Sequence, residues 1–383
     1  MRKICFVLTA RSSYTKVKPI LTALKDKPQV KLQIVCAGSA ILERYGKVED
    51  LVEKDGFTIS ERIYMVLEAE TLLTSAKSTG MGVIEFAGAF NRLKPDVVLV
   101  MADRAEVMAS AIAAAYQNIP LAHVQGGEVS GNIDEKVRHA ITKLADLHFP
   151  ATERAKDLLI RMGEHTSRVF HTGCPAMDLA EEVLQKPDME FDIYKKYSGV
   201  GSAPDLDKRF IVVMQHPVTT EYYSTKKQAN ETLMAIAGQN RSILWFWPNS
   251  DAGSNETSKA IRSFRETNDL RHVHFFKNME PEDFLRLLYA SDGIVGNSSV
   301  AIRECSYLGV TAVNIGSRQV NREQGPNVVN VSHDRNEISS AIQNHLNGSV
   351  QRSKLYGNGD AGKKIADVIA SIPLSSKNSI GYL

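Results

Sequence analysis

Residues able to do acid–base and anion chemistry gather just after the apolar runs of this sequence. The densest group is His123-Val124-Gln125-Gly126-Gly127-Glu128-Val129-Ser130-Gly131-Asn132-Ile133-Asp134, followed by Arg138 and His139. Its three glycines let backbone approach a ligand closely, while Glu128, Asp134 and His123 offer acid/base groups. Asp103-Arg104 follows the apolar run Val97–Met101. A carboxylate at the mouth of a buried strand is costly unless it is paired or used, although capping the next helix would also explain it. Arg11-Ser12-Ser13 follows the first apolar run and precedes a helical pattern. There a serine can cap free backbone donors and an arginine suits phosphate; a plain cap with a surface arginine is the alternative.

A second set lies further along the chain. Gln215-His216-Pro217-Val218-Thr219-Thr220 and Trp247-Pro248-Asn249-Ser250-Asp251-Ala252-Gly253 each follow an apolar run, and Gly316-Ser317-Arg318-Gln319-Val320-Asn321-Arg322 puts two arginines on one loop. The strongest phosphate signal is Gly296-Asn297-Ser298-Ser299, ahead of a helical pattern over Val300–Leu308. Small residues and hydroxyls at such a turn bring amide donors and a positive helix end to one point. Glu304, in that helix, could accept from ribose hydroxyls. No Walker loop is present and no Gly-x-Gly-x-x-Gly follows the first run, which argues against a mononucleotide kinase or a typical NAD enzyme. Histidines and acids lack zinc-like spacing, so no metal is expected.

The elements that would position these residues read as parallel strands joined by crossover helices, an α/β class. Strands are expected at Ile4–Thr9, Leu32–Cys36, Val97–Met101 and Pro120–Val124. Helices are expected at Tyr14–Leu24, at one segment after Cys36, at about Leu72–Leu93 and at Ala105–Tyr116. After a polar stretch at Gln185–Lys208 a second series begins, with strands at Phe210–Met214, Ser242–Trp247, His272–Phe276, Gly293–Gly296 and Thr311–Ile315. This implies two doubly wound domains, 1–185 and 186–360, with a helical tail at 361–383 that crosses back to the first. In such sheets ligands sit beyond the carboxyl ends of the strands, so two facing lobes would share one cleft.

The 383 residues exceed what one core usually supports. A net charge of +2 gives no reason to expect nucleic acid or an anionic membrane as partner. No stretch reaches the ~20 apolar residues that span a bilayer. The scattered cysteines (Cys5, Cys36, Cys174, Cys305) read as reduced structural thiols of a cytoplasmic protein.

The segments "GGEVSGNIDEKVRHAITKLA", "QHPVTT", "PNSDAGS", "GNSSVAIRE" and "IGSRQVNREQG" together resemble the hydrolysing UDP-N-acetylglucosamine 2-epimerases of sialic- and legionaminic-acid pathways, over almost the whole chain. The resemblance implies a GT-B-like fold with UDP held mainly by the second lobe, no cofactor, and a homodimer or homotetramer. It implies removal of the C2 proton with expulsion of UDP, then addition of water to give the free 2-epimeric sugar, such as N-acetylmannosamine. By analogy Ser298 and Ser299 hold phosphate and Glu304 the ribose. His216, Asn249 and Arg318 hold the diphosphate or sugar, and Arg11 and Arg104 reach in from the first lobe. Asp103 and Glu128 are the expected acid/base groups, Asp134 supports them, and His216 assists departure of UDP. Four positions depart from the family pattern: Ser13 replaces an acid, Ala40 and Met101 replace histidines, and Gln125 stands where many members have a catalytic glutamate. The departures leave room for UDP-sugar hydrolysis, glycosyl transfer, or a nucleotide-sugar-binding homologue without turnover.

Overall fold

The computed structural model describes residues 1–68, 71–130, 133–248, 253–346 and 350–374, the side chains of Arg11, Ser12, Thr15, Arg44 and Ile133 excepted. The chain forms two compact units. Among the described residues the first holds Met1–Val129, Ile133–Leu179 and 356–374; Ser130 and Ala180–Leu355 make up the second.

The first unit is built on a parallel sheet of β1 (Arg2–Leu8), β2 (Val30–Ala37), β3 (Ile59–Ile63), β4 (Val97–Met101), β5 (Leu121–Val124) and β6 (Leu147–Phe149), in the order β3-β2-β1-β4-β5-β6. Both faces are covered. Ile4, Phe6 and Leu8 of β1 enter one apolar cluster, and Cys5 and Val7 enter another on the opposite side. A strand buried on both faces has no polar side, which is why β1 and β4 read as unbroken apolar runs.

The second unit repeats the plan with β7 (Gly199–Gly201), β8 (Phe210–Met214), β9 (Ser242–Phe246), β10 (Val273–Phe276), β11 (Ile294–Gly296), β12 (Ala312–Ile315) and β13 (Val328–Val331). Their order is β13-β12-β11-β8-β9-β10-β7. Apart from the antiparallel edge strand β7, this is the same doubly wound order as in the first unit. Each sheet therefore has one switch point, between β1 and β4 and between β8 and β11, where connections leave in opposite directions and a crevice opens.

Several local expectations are corrected. The first helix starts at Arg11 rather than Tyr14, with Ala10 rather than a serine at its cap position. Between β2 and the Leu72–Leu93 helix lie two short 3-10 turns, the helix Glu49–Lys54 and the unforeseen β3. The polar stretch 185–208 contains the helix Ile193–Lys196 and β7, all three residues of which are exposed. The helix anticipated at Val300–Leu308 is two pieces, Ser299–Ile302 and Glu304–Leu308, broken at Arg303 (φ −95°, ψ −72°).

The tail belongs to the first unit from Tyr356. Asp178 accepts from the amides of Ala361 (2.9 Å) and Gly362 (2.7 Å), the first turn of the helix Ala361–Ser371. Ile365, Ala366 and Ile369 of that helix enter the core beside Val17, Ile20 and Leu21. Where the chain leaves and returns, Gly173 and Gly357 pass so closely that a Cβ on Gly173 would stand 3.0 Å from Gly357 Cα. The Cys174 amide donates to the Tyr356 carbonyl (2.7 Å) beside them.

Candidate functional site

In the first unit the polar groups collect where β4 and β5 end. Immediately after each strand stands a non-glycine residue in the left-handed region, Ala102 (φ 65°) after β4 and Gln125 (φ 64°) after β5. Such conformations cost of order 1–3 kcal/mol and persist only where the surroundings over-determine them. Here they do. The Ala102 amide donates to Val124 O (3.0 Å), the Gln125 amide to Phe149 O (2.9 Å), and His123 holds the Ala102 carbonyl (2.9 Å) through Nε2. Because a carbonyl only accepts, Nε2 carries the proton, and Nδ1 accepts from the Thr142 hydroxyl (3.1 Å). Burial pushes the His123 pKa down to about 3. His123 is thus a neutral strut with both nitrogens engaged, and the acid/base role open to it from sequence is withdrawn.

Turning the chain at Ala102 brings out Asp103. It does not cap the following helix, whose cap position is Arg104. Its carboxylate instead pairs with Arg138, which is only 1% exposed and also donates to the Glu128 carbonyl. One guanidinium thus ties the end of β4 to the loop after β5 and fixes Asp103 and Glu128 relative to each other. Asp134 opens the helix Ile133–Leu144 that carries Arg138. Arg104 pairs with the buried Glu106 (3.3 Å), over which Gly38 passes so closely that a Cβ there would meet the carboxylate at 2.5 Å.

Gln125 points elsewhere. It is 1% exposed, its amide donates to Cys174 Sγ (2.9 Å), and its Oε1 is buried without a hydrogen-bond partner among the described residues. Glycines follow because nothing larger fits: a Cβ on Gly127 would stand 2.3 Å from the Ala155 carbonyl.

In the second unit the organiser is Asn297, fully buried at the end of β11. Its side chain accepts from the His216 amide (2.8 Å) and donates to the His216 carbonyl (2.8 Å), clipping the loop after β8 across the switch point. Its own carbonyl accepts from Arg318 (3.2 Å) and Gln319 (2.9 Å) of the loop after β12. One amide residue therefore gathers three strand ends. Ser298 caps the next turn weakly through Val300 N–H (3.4 Å), with Ser299 half-buried behind it. That turn leads into only four helical residues, too few for the sizeable dipole expected from sequence. Glu304 is buried, with Oε2 lacking a partner among the described residues. Asn249 lies outside the described residues, as does the side chain of Arg11.

Sequence spacing brought forward Asp103, Glu128, His216 and Arg318 but gave no role to Arg138 or Asn297, the residues that hold them together. Arg138 stood four residues after Asp134, at helical spacing; Asn297 was the polar residue directly after an apolar strand. Among the described residues no group of three or more His, Cys, Asp and Glu could hold a metal ion, and no helix is long and apolar enough to cross a membrane.

Two doubly wound units of one topology, each with polar loops at its strand ends, place the chain in the GT-B-like class of α/β proteins. It belongs to the UDP-N-acetylglucosamine 2-epimerase family, whose sequence model matches residues 22–370. It is 34% identical over 378 residues to a hydrolysing UDP-N,N'-diacetylbacillosamine 2-epimerase of Legionella pneumophila, covering 98% of each chain. It is 31% identical to the polysialic acid biosynthesis protein P7 of Escherichia coli, covering 89% of this chain and 85% of that one. Among solved structures, the Methanocaldococcus jannaschii UDP-GlcNAc 2-epimerase in complex with UDP-GlcNAc and UDP superposes with a TM-score of 0.79 at 19% identity, covering 96% and 99% of the two chains.

Proposed function

We propose that the protein is a hydrolysing 2-epimerase of UDP-2-acetamido sugars, releasing UDP and the free 2-epimer, for nonulosonic (sialic-type) acid or surface polysaccharide synthesis. The observation that carries this reading is the buried Arg138, which pairs with the Asp103 carboxylate and donates to the main-chain carbonyl of Glu128, bringing the two loops together at the ends of β4 and β5. The reaction needs two proton-transfer groups held relative to each other. One takes the C2 proton while the C1–O bond breaks and UDP leaves with the electron pair. The other returns a proton to C2 as water adds its oxygen to C1 and passes one of its protons to the carboxylate left by that transfer. Asp103 and Glu128 supply these groups, and Asp134, at the start of the helix that presents Arg138, supports them. On the nucleotide side His216 and Arg318 meet the diphosphate, whose growing negative charge is what a cation clamp stabilises. Ser298 and Ser299 serve the phosphates and Glu304 the ribose, with Arg11, Arg104 and Asn249 as further contacts. The relatives favour either N-acetylglucosamine or a 2,4-diacetamido sugar on the donor.

Product analysis by NMR in D₂O with UDP-N-acetylglucosamine and UDP-N,N'-diacetylbacillosamine tests this. Free 2-epimer carrying deuterium at C2 is the expected result, and a product without label removes it. Gln125 motivates a second reading, because an amide cannot serve as a carboxylate base. If both donors yield UDP and an unepimerised sugar, or transfer to an acceptor, the protein is a UDP-sugar hydrolase or glycosyltransferase. Tight UDP binding without turnover would make it a binding homologue. A homo-oligomer is also proposed, supported by Leu73, Met81 and Ile84 exposed along one helix; a monomer by sedimentation would rule it out.

A further inference from the structure

Glu221 has no part in the chemistry above, and three observations single it out. Its backbone (φ −116°, ψ 27°) breaks the 3-10 run Thr219–Ser224, five residues beyond His216 on the segment leaving β8. Its carboxylate accepts from the Ser317 hydroxyl through Oε1 and from the Gln228 amide through Oε2. Ser317 lies between Gly316 and Arg318, and Gly316 (φ 72°) is covered by the His333 ring, whose Nε2 would stand 2.1 Å from a Cβ at 316. The arginine loop is therefore pinned from two sides.

We propose that Glu221 is a positioning residue that joins the segment after β8 to the loop after β12, presetting His216 and Arg318 for one anion before a nucleotide arrives. The proposal rests on the reading that these two residues meet the diphosphate. In the sheet β8 and β12 are not neighbours, since β11 lies between them. Asn297 links each loop to β11, whereas Glu221 links them directly to each other. By its charge alone a carboxylate one residue contact from Arg318 opposes binding of a phosphate. Order in the arginine loop is the compensating gain, because a preset site does not lose that freedom on binding.

The test is UDP binding by calorimetry on the full chain, with thermal unfolding measured on the same samples. Ser317→Ala, a one-atom deletion, removes one hydrogen bond to a charged group and should weaken UDP about 5- to 10-fold. Ser317→Thr should restore most of the affinity. Glu221→Ala should cost more than Glu221→Gln, whose amide oxygen still accepts from Ser317. Ser317→Ala and Glu221→Ala combined should cost less than the sum of the two. A lower Tm with unchanged UDP affinity would make Glu221 merely structural and overturn the proposal. Arg318→Ala separates the two levels. If it weakens UDP while the Ser317 and Glu221 variants do not, the clamp is wrong and the phosphate reading stands. If Arg318→Ala itself leaves UDP affinity unchanged, the phosphate reading fails and the clamp fails with it.

Discussion

The two switch points have the same strand order and opposite chemistry. After β4 and β5 the groups are charged, the backbone is strained at Ala102 and Gln125, and the organiser is an arginine paired with a carboxylate. After β8 and β11 the organiser is a neutral asparagine that uses side chain and carbonyl together. On the proposed function this contrast matches the division of labour. Proton transfer would draw on ionisable groups held in place by the strained turns of the first site. Nucleotide binding would draw on loops gathered by a neutral residue, which costs little to desolvate and leaves Arg318 as the charged donor.

Replacements at each switch point can break this division. Asp103→Asn keeps the shape of the first site and should lower kcat by ~10²-fold or more with UDP affinity nearly unchanged. A wild-type rate would take Asp103 out of the chemistry. Asn297→Ala should act the other way, weakening UDP ~10-fold or more and lowering Tm, because buried backbone groups of His216 lose their partner. If calorimetry shows UDP binding intact, the neutral hub is not what organises the second site. Gln125→Glu sharpens the boundary of the first site. A carboxylate buried beside Cys174 should lower stability by a few kcal/mol without raising the rate. A faster, equally stable variant would restore position 125 to the catalytic group.

Outside both sites, a pH slope is expected from Asp178. Burial pushes its pKa up to about 6 although two amides of the last helix oppose the shift. Between pH ~4, where the unfolded carboxyl ionises, and about 6, the folded protein holds a proton that the unfolded chain has released. Stability from this group is therefore present at low pH and lost as pH rises through that window, by at most ~3 kcal/mol. Urea unfolding of wild type and Asp178→Asn from pH 4 to 7 should show a stability difference between the two that shrinks as pH rises through that window; parallel curves would refute it.

How far the sequence could be read depends on the kind of residue involved. Doubly buried strands such as β4 announce themselves, because covering both faces leaves no polar position. β3, with Ser60 and Glu61 between its isoleucines, and β7, two glycines around Val200, lack that signal and are held by pairing with neighbours. Asp103 and Glu128 stood out as candidates because an acid after an apolar run and an acid after a glycine pair are conspicuous. The tasks of Arg138 and Asn297 were not, since a residue that binds backbone of distant loops leaves no spacing of its own. His123 misled for a related reason: composition shows an ionisable ring, and only burial shows that it stays neutral.

The helix Ala361–Ser371 also decides how the first unit closes. That unit is drawn from segments before and after the second, and its core lacks Ile365, Ala366 and Ile369 until this helix docks. The second unit, apart from Ser130, is one continuous stretch and depends on no such distant segment. Removing the helix would therefore leave a gap in the core of the first unit beside Val17, Ile20 and Leu21, with the residues of the second unit all present.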